Sequence, residues 1–408
     1  MQFPTPEYRQ LCDEPADKLV RQLFDKYGDK TARQIYLQLI HTFSQIDIQT
    51  LPKEIIAFHK KNEKSVVIKH PEKIELAAEY FQKYGHSMFL MLICKSLPQV
   101  YSSYRGAKVL YETGYLVGKN NDALVARRLM ETAQFYIDVM HKDSFQPNHY
   151  GFFAATKVRI IHAYVRRFMW DRDWNEKFAA DYDQPVCQED MMGTILAFSV
   201  CNIEGIKKMG LLISDEETDA VIYTWHIVGK LLGVDDKYNP DNFKDGQLLF
   251  HHLIDKEKKL GIENKALVDA ILNFMRSIFT PPLLSKLPLK IKDQNKLPEI
   301  LVSYFVGREV SPYIGLKYHE DWYYKNVLKS VQLILPNIFI QSRKIQLANN
   351  SVIQLSGFLV AKIFQFIKDE YKLEFRIDDA LLKDWQLKQY IPDYGLKADV
   401  PFHHPATN

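Results

Sequence analysis

Apolar positions recur at helical spacing along most of the chain. Near the N-terminus Leu19, Leu23 and Tyr27 follow one another at four-residue intervals, and a second such series follows them. Residues three or four apart share one face of a helix, so this pattern predicts two helices that form an N-terminal arm. A later series ends at Pro98, which is expected to interrupt its helix because proline lacks the amide hydrogen that a helix interior needs.

The central part of the sequence carries clearer helix boundaries. Asn121 and Asp122 can cap a helix over 123–140, because their side-chain oxygens can accept hydrogen bonds from its first amides. Ser214 and Glu217 have the spacing of a capping box, which predicts the start of another helix. Apolar periodicity predicts further helices over 152–169, 188–209, 323–335 and 352–371.

Strand signals are sparse, since the β-branched stretches 66–68 and 300–304 lack a hairpin partner with a clear turn signature. The sequence therefore predicts an all-α protein, and without an internal repeat a solenoid is not expected. Three segments are predicted: an N-terminal helical arm (1–75), a large helical core (76–280), and a proline- and lysine-rich connector with C-terminal helices packed on the core (281–408).

Composition and charge exclude several classes of protein. The 53 basic and 50 acidic residues among 408 give a net charge of +3, so no single-sign field is expected to recruit nucleic acid. The four cysteines have no CxxC spacing and are predicted to be free thiols. Neither a signal peptide nor an apolar run of membrane-spanning length is apparent, so we expect a cytoplasmic protein without a membrane span. The oligomeric state is not predicted.

Common catalytic motifs are missing from the sequence. It contains no GxGxxG, GxxxxGK[ST] or GxSxG motif, no HExxH motif and no paired ExxH motifs, although it has 13 histidines. A helical chain with isolated histidines is compatible with a b-type haem, which needs one imidazole on iron, basic or hydroxyl groups for the propionates, and apolar walls.

His162 is the best-placed of these histidines. It lies three residues after Arg159 and four before Arg166, so an imidazole and two guanidiniums can share one side of a helix. The imidazole could bind iron while the arginines pair with carboxylates. On spacing alone, a core histidine with satisfied hydrogen bonds, flanked by snorkelling arginines, remains the alternative.

Polar residues on two other segments complete the candidate site. Arg128, Glu131 and Thr132 lie on one face of the predicted helix 123–140. Glu112 lies near a glycine in a largely apolar stretch, where a carboxylate would gain proton affinity and could act as a base. The alternatives are an ordinary surface acid and an ordinary intrahelical ion pair.

Taken together, these segments resemble the family of bacterial latex-clearing proteins, or rubber oxygenases, and the MpaB-type oxygenases. The order and spacing of the motifs carry the resemblance, which covers about residues 104–240. The matching segments are LYETGYL around Glu112, RLMET at 128–132, KVRIIHAYVR at 157–166, QPVCQED at 184–190 with Thr194 and Phe198-Ser199, and less specifically WHIVGKLLG at 225–233.

This resemblance implies an all-α fold around one b-type haem. His162 would be the proximal iron ligand, and Glu112 would be the distal base. Dioxygen bound by iron would attack a carbon–carbon double bond of an isoprenoid chain, the glutamate would take an allylic proton, and cleavage would leave carbonyl products. The remaining residues predicted near the haem are Arg128, Glu131, Thr132, Arg159 and Arg166.

Two departures from the family limit what the resemblance implies. Glu131 stands where the rubber oxygenases have a lysine that can coordinate iron, which predicts a five-coordinate or water-bound iron and favours the ferric state. Rubber degraders are exported and the fungal enzyme carries a membrane anchor, and neither feature is apparent here. We therefore expect dioxygen and a small apolar, isoprenoid- or lipid-like substrate, which can be unsaturated. A peroxidase-like haem protein, a haem sensor without turnover, and a helical lipid-binding module without haem remain alternatives.

Overall fold

The computed structural model describes residues 3–41, 48–114, 122–146, 150–279, 294–318, 342–371, 377, 379–385 and 387. Throughout these residues the regular structure is helical, and the one β feature is an isolated bridge between Ser103 and Lys258. The prediction of an all-α fold is confirmed.

The N-terminal arm consists of a short 3-10 helix, Pro6–Gln10, followed by α1 (Glu14–His41), a 3-10 turn and α2 (Lys53–Lys64). Gly28 has a φ of +75°, which kinks α1 and divides it into the two helical parts that the periodicity predicts. The buried face of α1 packs along α7 (Tyr150–Trp170), in a cluster that includes Leu19, Leu23, Phe153, Ile160 and Tyr164.

Two helices of the core pass through π-helical turns. The helix α3 (Pro71–Met91) continues as a π segment, Leu92–Ser96, into α4 (Leu97–Val100). The sequence predicts that Pro98 interrupts the helix, but the helical path continues through it. Pro98 lies in the first turn of α4, where a missing amide hydrogen costs no hydrogen bond within that helix. The second path is α10 (Gln188–Leu196), a π segment at Ala197–Cys201, and α11 (Asn202–Lys208), and the two π segments contact each other.

The helices nearest the candidate site lie between these two paths in the sequence. Helix α6 (Asp122–Met140) packs against α7. Helix α5 (Tyr104–Glu112) packs against both α9 (Ala179–Tyr182) and α14 (Ile262–Ile278). Gly114 follows α5 with a φ of +72°. These elements are α5 (Tyr104–Glu112), α6 (Asp122–Met140), α8 (Trp174–Lys177) and α9 (Ala179–Tyr182).

Of the remaining helices, α12 (Asp215–Leu231) and α16 (Ser342–Tyr371) pack most extensively against α3. The predicted capping box is present at the start of α12, where Ser214 and Glu217 bond each other's backbone amides. The β-branched stretch 300–304 lies inside a helix, and the predicted helix 323–335 and most of the connector lie outside the described residues. These helices are α12 (Asp215–Leu231), α13 (Phe243–Glu257), α14 (Ile262–Ile278), α15 (Leu297–Val306), α16 (Ser342–Tyr371) and α17 (Asp379–Asp384), with 3-10 turns at Asp236–Tyr238, Gln294–Lys296 and Ser311–Ile314.

An aromatic cluster fills the centre of the core. Trp225 is 1% exposed, and its ring centroid lies 5.0 Å from that of Tyr136 and 5.1 Å from that of Phe198. Burial of each such side chain contributes roughly 1.5–3 kcal/mol to folding. The four cysteines are free thiols, as predicted. No helix in the described part of the chain is long and apolar enough to span a membrane.

Candidate functional site

His162 lies on α7 with a neutral imidazole. Burial, together with the positive charges of Arg166 and Arg128, lowers its pKa to about 3. The Nδ1 atom is buried, and no hydrogen bond from the described residues reaches it. The residue as a whole is nevertheless only half-buried, so part of the side chain borders open space. This histidine lacks the satisfied hydrogen bonds of a core histidine, which was the alternative at the sequence level.

Arg128 faces the same neighbourhood from α6. Loss of hydration opposes its charge, but the charge and hydrogen bond of Glu131 outweigh that loss and raise the pKa of the guanidinium. The side chain is 41% exposed although desolvation is the largest influence on its pKa. Arg128 is thus packed against protein on one side and accessible on the other.

Glu131 and Thr132 lie beside Arg128 on α6. The carboxylate of Glu131 accepts from Nε of Arg127 at 3.2 Å and from Nη1 of Arg128 at 3.1 Å, so two guanidiniums of its own helix offset its charge. Thr132 donates its hydroxyl to the carbonyl of Arg128 at 2.9 Å. The intrahelical ion pair, given as an alternative at the sequence level, is thus present, and a negative charge so closely paired has a weaker effect on a nearby metal than an unpaired carboxylate would have.

Arg159 and Arg166 turn their guanidiniums towards the N-terminal arm. Arg159 donates from Nε and Nη2 to both oxygens of Asp13, at 2.6 and 2.8 Å. Arg166 donates from Nε to Asp17 at 2.7 Å. Both arginines thus pair with carboxylates of this chain, and Arg166 acts on His162 through its charge. The Nη2 atom of Arg166 is buried without a hydrogen bond from the described residues.

Gly233 shows how closely the Arg159 pair is packed. It has a φ of +81°, and a Cβ atom added there would lie 2.7 Å from Nε of Arg159 and in collision with Asp13. Both the backbone conformation and the missing side chain require glycine at this position.

Glu112 is the last residue of α5 and does not lie in the apolar setting that the sequence predicts. Its carboxylate is 2.9 Å from Nζ of Lys108, four residues earlier on the same helix. Its carbonyl accepts from Nη1 of Arg172 at 3.2 Å, just beyond the end of α7. No contact between described residues joins Glu112 to His162, so the structure brings Arg128, Arg166 and His162 together and leaves Glu112 apart.

A cavity of about 360 Å³ lies between α1, the end of α5 and α7. This volume is at the lower end of the range for small-molecule sites. Val165 lines it one turn beyond His162, and Thr113, which follows Glu112, also lines it. The other lining residues are Arg33, Tyr36, Leu37, Phe168, Met169, Asp171 and Arg172.

The residues around His162 fit a b-type haem. A neutral imidazole is the form that binds iron, and a single protein ligand suffices for a haem. The guanidinium of Arg128 is accessible and could pair with a propionate of the haem. Among the described residues no group of three or more histidine, cysteine or acidic side chains is arranged to hold a metal ion.

Lys108, Asp13 and Asp17 are the important partners that the sequence does not identify. Lys108 stands four residues before Glu112, a spacing at which opposite charges on a helix pair, and this signal was available. Asp13 and Asp17 lie 146 and 149 residues from the arginines that they bind, and no local pattern reveals such pairs.

The comparisons with known proteins agree on one family. A family model described as ER-bound oxygenase mpaB/B'/Rubber oxygenase, catalytic domain, matches residues 82–306, more than half of the chain. A rubber oxygenase of Streptomyces sp. (strain K30) is 22% identical over 192 residues, which are 46% of this chain and 44% of that relative. A structure of latex clearing protein LCP in the closed state superposes with a TM-score of 0.65 at 17% identity, over 86% of this chain and 91% of the other. The last match concerns the fold.

Proposed function

Since this chain belongs to the family of MpaB-type and rubber oxygenase catalytic domains, we propose that it is a haem-dependent oxygenase. Its substrate would be a small apolar molecule of isoprenoid or lipid type, oxidised with dioxygen. The aligned part of the curated relative is less than half of that protein, so family membership supports the class of reaction and not a particular substrate.

The single observation that carries this proposal is the state of His162. Its imidazole is neutral, half-buried and without a hydrogen bond at Nδ1 from the described residues. Such an imidazole can bind the iron of haem b without first losing a proton or a hydrogen bond. When bound, the haem would supply the activation of dioxygen.

The other site residues would have supporting roles. Arg128 would pair with a propionate, Thr132 would add a hydroxyl, and Arg166 would keep the imidazole neutral through its charge. Glu131 would contribute little net charge because Arg127 and Arg128 bind it. Arg159 would act indirectly, since its pair with Asp13 fixes α7 against the arm.

Glu112 would be the base that accepts an allylic proton from the substrate. Its ion pair with Lys108 supports this role, because a neighbouring cation favours the ionised carboxylate that a base requires. Thr113 borders the cavity between Glu112 and α7, which would place the substrate next to the carboxylate.

A haem protein without turnover is the second candidate function. It is favoured by the fact that the observations carrying the haem assignment all concern His162, since a sensor needs the ligand and not the base.

The haem assignment is tested by absorption spectroscopy. Protein purified from haem-replete cells should show a Soret band, and His162→Ala should lose it. His59→Ala is the matched control, because His59 is also buried but contacts Thr156 instead of open space, and it should keep the band. A His162→Ala protein that binds haem as well as the parent would show that His162 is not the ligand.

Turnover separates the two candidate functions. With an acyclic isoprenoid alcohol as the probe, the parent should consume oxygen, and Glu112→Gln should bind haem equally but consume oxygen about 100-fold more slowly, the usual contribution of a general base. Equal rates in the two proteins would reject Glu112 as the base. Haem binding by a parent that consumes no oxygen with any apolar probe would favour the second candidate.

A further inference from the structure

Lys108 lies between two carboxylates of different burial. Its Nζ atom is 2.9 Å from Glu112 on the same helix and 3.3 Å from Oε1 of Glu263 on α14. The side chain of Glu263 is 7% exposed, whereas that of Glu112 is 29% exposed. One partner of the lysine is therefore fixed in the protein interior, and the other stands at the accessible end.

Aromatic rings also hold the ammonium group in place. Nζ of Lys108 is 4.4 Å from the ring centroid of Phe178 and 5.5 Å from that of Tyr182. Cations are attracted to aromatic faces at these distances. Burial opposes the charge of Lys108, but hydrogen bonds and charges from Glu112 and Glu263 raise its pKa, so the lysine stays protonated. Its position does not depend on Glu112 alone.

We propose that Lys108 and Glu263 form a positioning pair: Lys108 holds the carboxylate of Glu112 in place for proton transfer, and Glu263 balances the charge of Lys108 after the transfer. The inference rests on the proposed oxygenase function. In the step concerned, a proton moves from an allylic carbon of the substrate to an oxygen of Glu112, and the electron pair of the broken C–H bond forms a new C=C bond. The electron pair of the former double bond forms the C–O bond to dioxygen, whose outer oxygen takes up the negative charge. The substrate thus loses two electrons, and dioxygen is reduced to the peroxide level. Without Glu263, neutral Glu112 would leave a buried ammonium group without a counter-ion, which is costly.

Other charged or titratable groups near Glu112 lie on several elements. Arg172, beyond the end of α7, donates to the Glu112 carbonyl. Tyr182 on α9 and Tyr111 on α5 itself surround the lysine. These groups are the same in the variants proposed below, so changes in the pH profile can be assigned to Lys108 and Glu263.

The two members of the pair should act on Glu112 with opposite signs. Lys108→Met removes the cation that favours the carboxylate, so the acid limb of the kcat–pH profile should move to higher pH by about one unit. The plateau at alkaline pH and the KM should change little. Glu263→Gln removes a like charge and leaves Lys108 to Glu112 alone, so the acid limb should move to lower pH and the plateau should fall severalfold, because a weaker base remains.

Conservative and matched variants guard against a purely structural effect. Lys108→Arg should restore the parental acid limb, and Lys265→Met, which removes a lysine from the exposed pair with Asp269 on α14, should leave it unmoved. A double-mutant cycle by urea unfolding of the haem-free chain supplies a readout without catalysis. Lys108→Met should lower the free energy of unfolding less when Glu112 is already glutamine than when it is glutamate.

Failure of the inference and failure of the function are distinguishable. If the parent binds haem and consumes oxygen but both variants keep the parental acid limb, the positioning pair is rejected and the oxygenase stands. If Lys108→Met does not fold, the other two variants still test the inference. The acid limb of Glu263→Gln should move to lower pH, and that of Lys108→Arg should match the parent. If the parent shows no Soret band and no oxygen uptake, both proposals are rejected together.

Discussion

One face of α7 carries two kinds of polar group that differ in their partners. Arg159 and Arg166 each bind a buried carboxylate, Asp13 and Asp17. Between them, His162 is kept neutral and its buried Nδ1 atom has no hydrogen bond from the described residues. The arginines fix the helix in the fold, whereas the imidazole is not used to hold the fold together.

The largest effect should come from breaking the more deeply buried pair. Asp17→Ala would leave Arg166, whose side chain is 0% exposed, without its carboxylate. An uncompensated buried charge of this kind destabilises a protein by about 3–5 kcal/mol. Urea unfolding of the haem-free chain measures the loss, and a variant as stable as the parent would contradict the structural role of the pair.

A smaller loss is expected at the neighbouring pair. Asp13→Ala removes two hydrogen bonds to Arg159, but that guanidinium keeps a third bond, from Nη1 to Asn62 at 2.7 Å. Charge-assisted hydrogen bonds typically contribute a net 1.5–3 kcal/mol, so the free energy of unfolding should fall by roughly 2 kcal/mol. Both variants would weaken the attachment of the arm. If Asp13→Ala lowers the free energy of unfolding more than Asp17→Ala does, the Asp13 pair is the more important of the two.

The histidine on this face of α7 should make the stability of the chain depend on pH. An unfolded histidine titrates near 6.5, whereas burial and the charges of Arg166 and Arg128 lower the pKa of His162 to about 3. Between these two pH values His162 binds a proton in the unfolded chain but not in the folded chain. The stability of the haem-free chain should therefore fall with decreasing pH below about 6.5, by about 1.4 kcal/mol per unit from this residue.

His162→Gln provides the comparison for that slope. Glutamine does not titrate, so the variant should lose the corresponding part of the pH dependence between about pH 6.5 and 5. Unfolding curves of the two haem-free proteins at several pH values give the difference. Parallel curves would show that His162 gains a proton in the folded state as readily as in the unfolded state.

The smallest effect is expected at the solvent-exposed end of the same helix. Asp171 pairs with Arg167, and both side chains are 36% exposed. Exposed pairs at this spacing contribute about 0.5 kcal/mol or less. Asp171→Ala should leave the urea midpoint nearly unchanged, and a loss comparable to that at Asp17 would remove the distinction between the buried and exposed pairs of α7.

Local patterns were sufficient to predict most of the helices. The structure has α6 at Asp122–Met140 against the predicted 123–140, and the Ser214–Glu217 capping box is present. Pro98 was misjudged because its effect depends on the π segment before it, and π turns have no clear sequence signature. The three predicted segments of the chain stay a prediction.

The candidate site was predictable only in part. Helical spacing placed His162 and Arg166 near each other, but it could not show that the guanidinium of Arg166 binds Asp17, because that pair joins distant parts of the sequence. The apolar setting expected for Glu112 was wrong for a local reason, since Lys108 lies four residues earlier on the same helix and binds its carboxylate. Only Glu263, the second partner of Lys108, comes from a distant helix and is invisible in the local stretch. The roles assigned to the site residues stay predictions.

The pairing of α1 with α7 also has a consequence for the order in which the chain acquires its structure. The carboxylates of Asp13 and Asp17 leave the ribosome 146 and 149 residues before their partners. At synthesis rates of about 5–20 residues per second, the arm is complete roughly 7–30 seconds before these partners. In the finished fold Leu19 and Leu23 are almost fully buried, in a cluster to which α7 contributes Phe153, Ile160 and Tyr164. The arm can therefore complete its apolar core only after α7 has been synthesised.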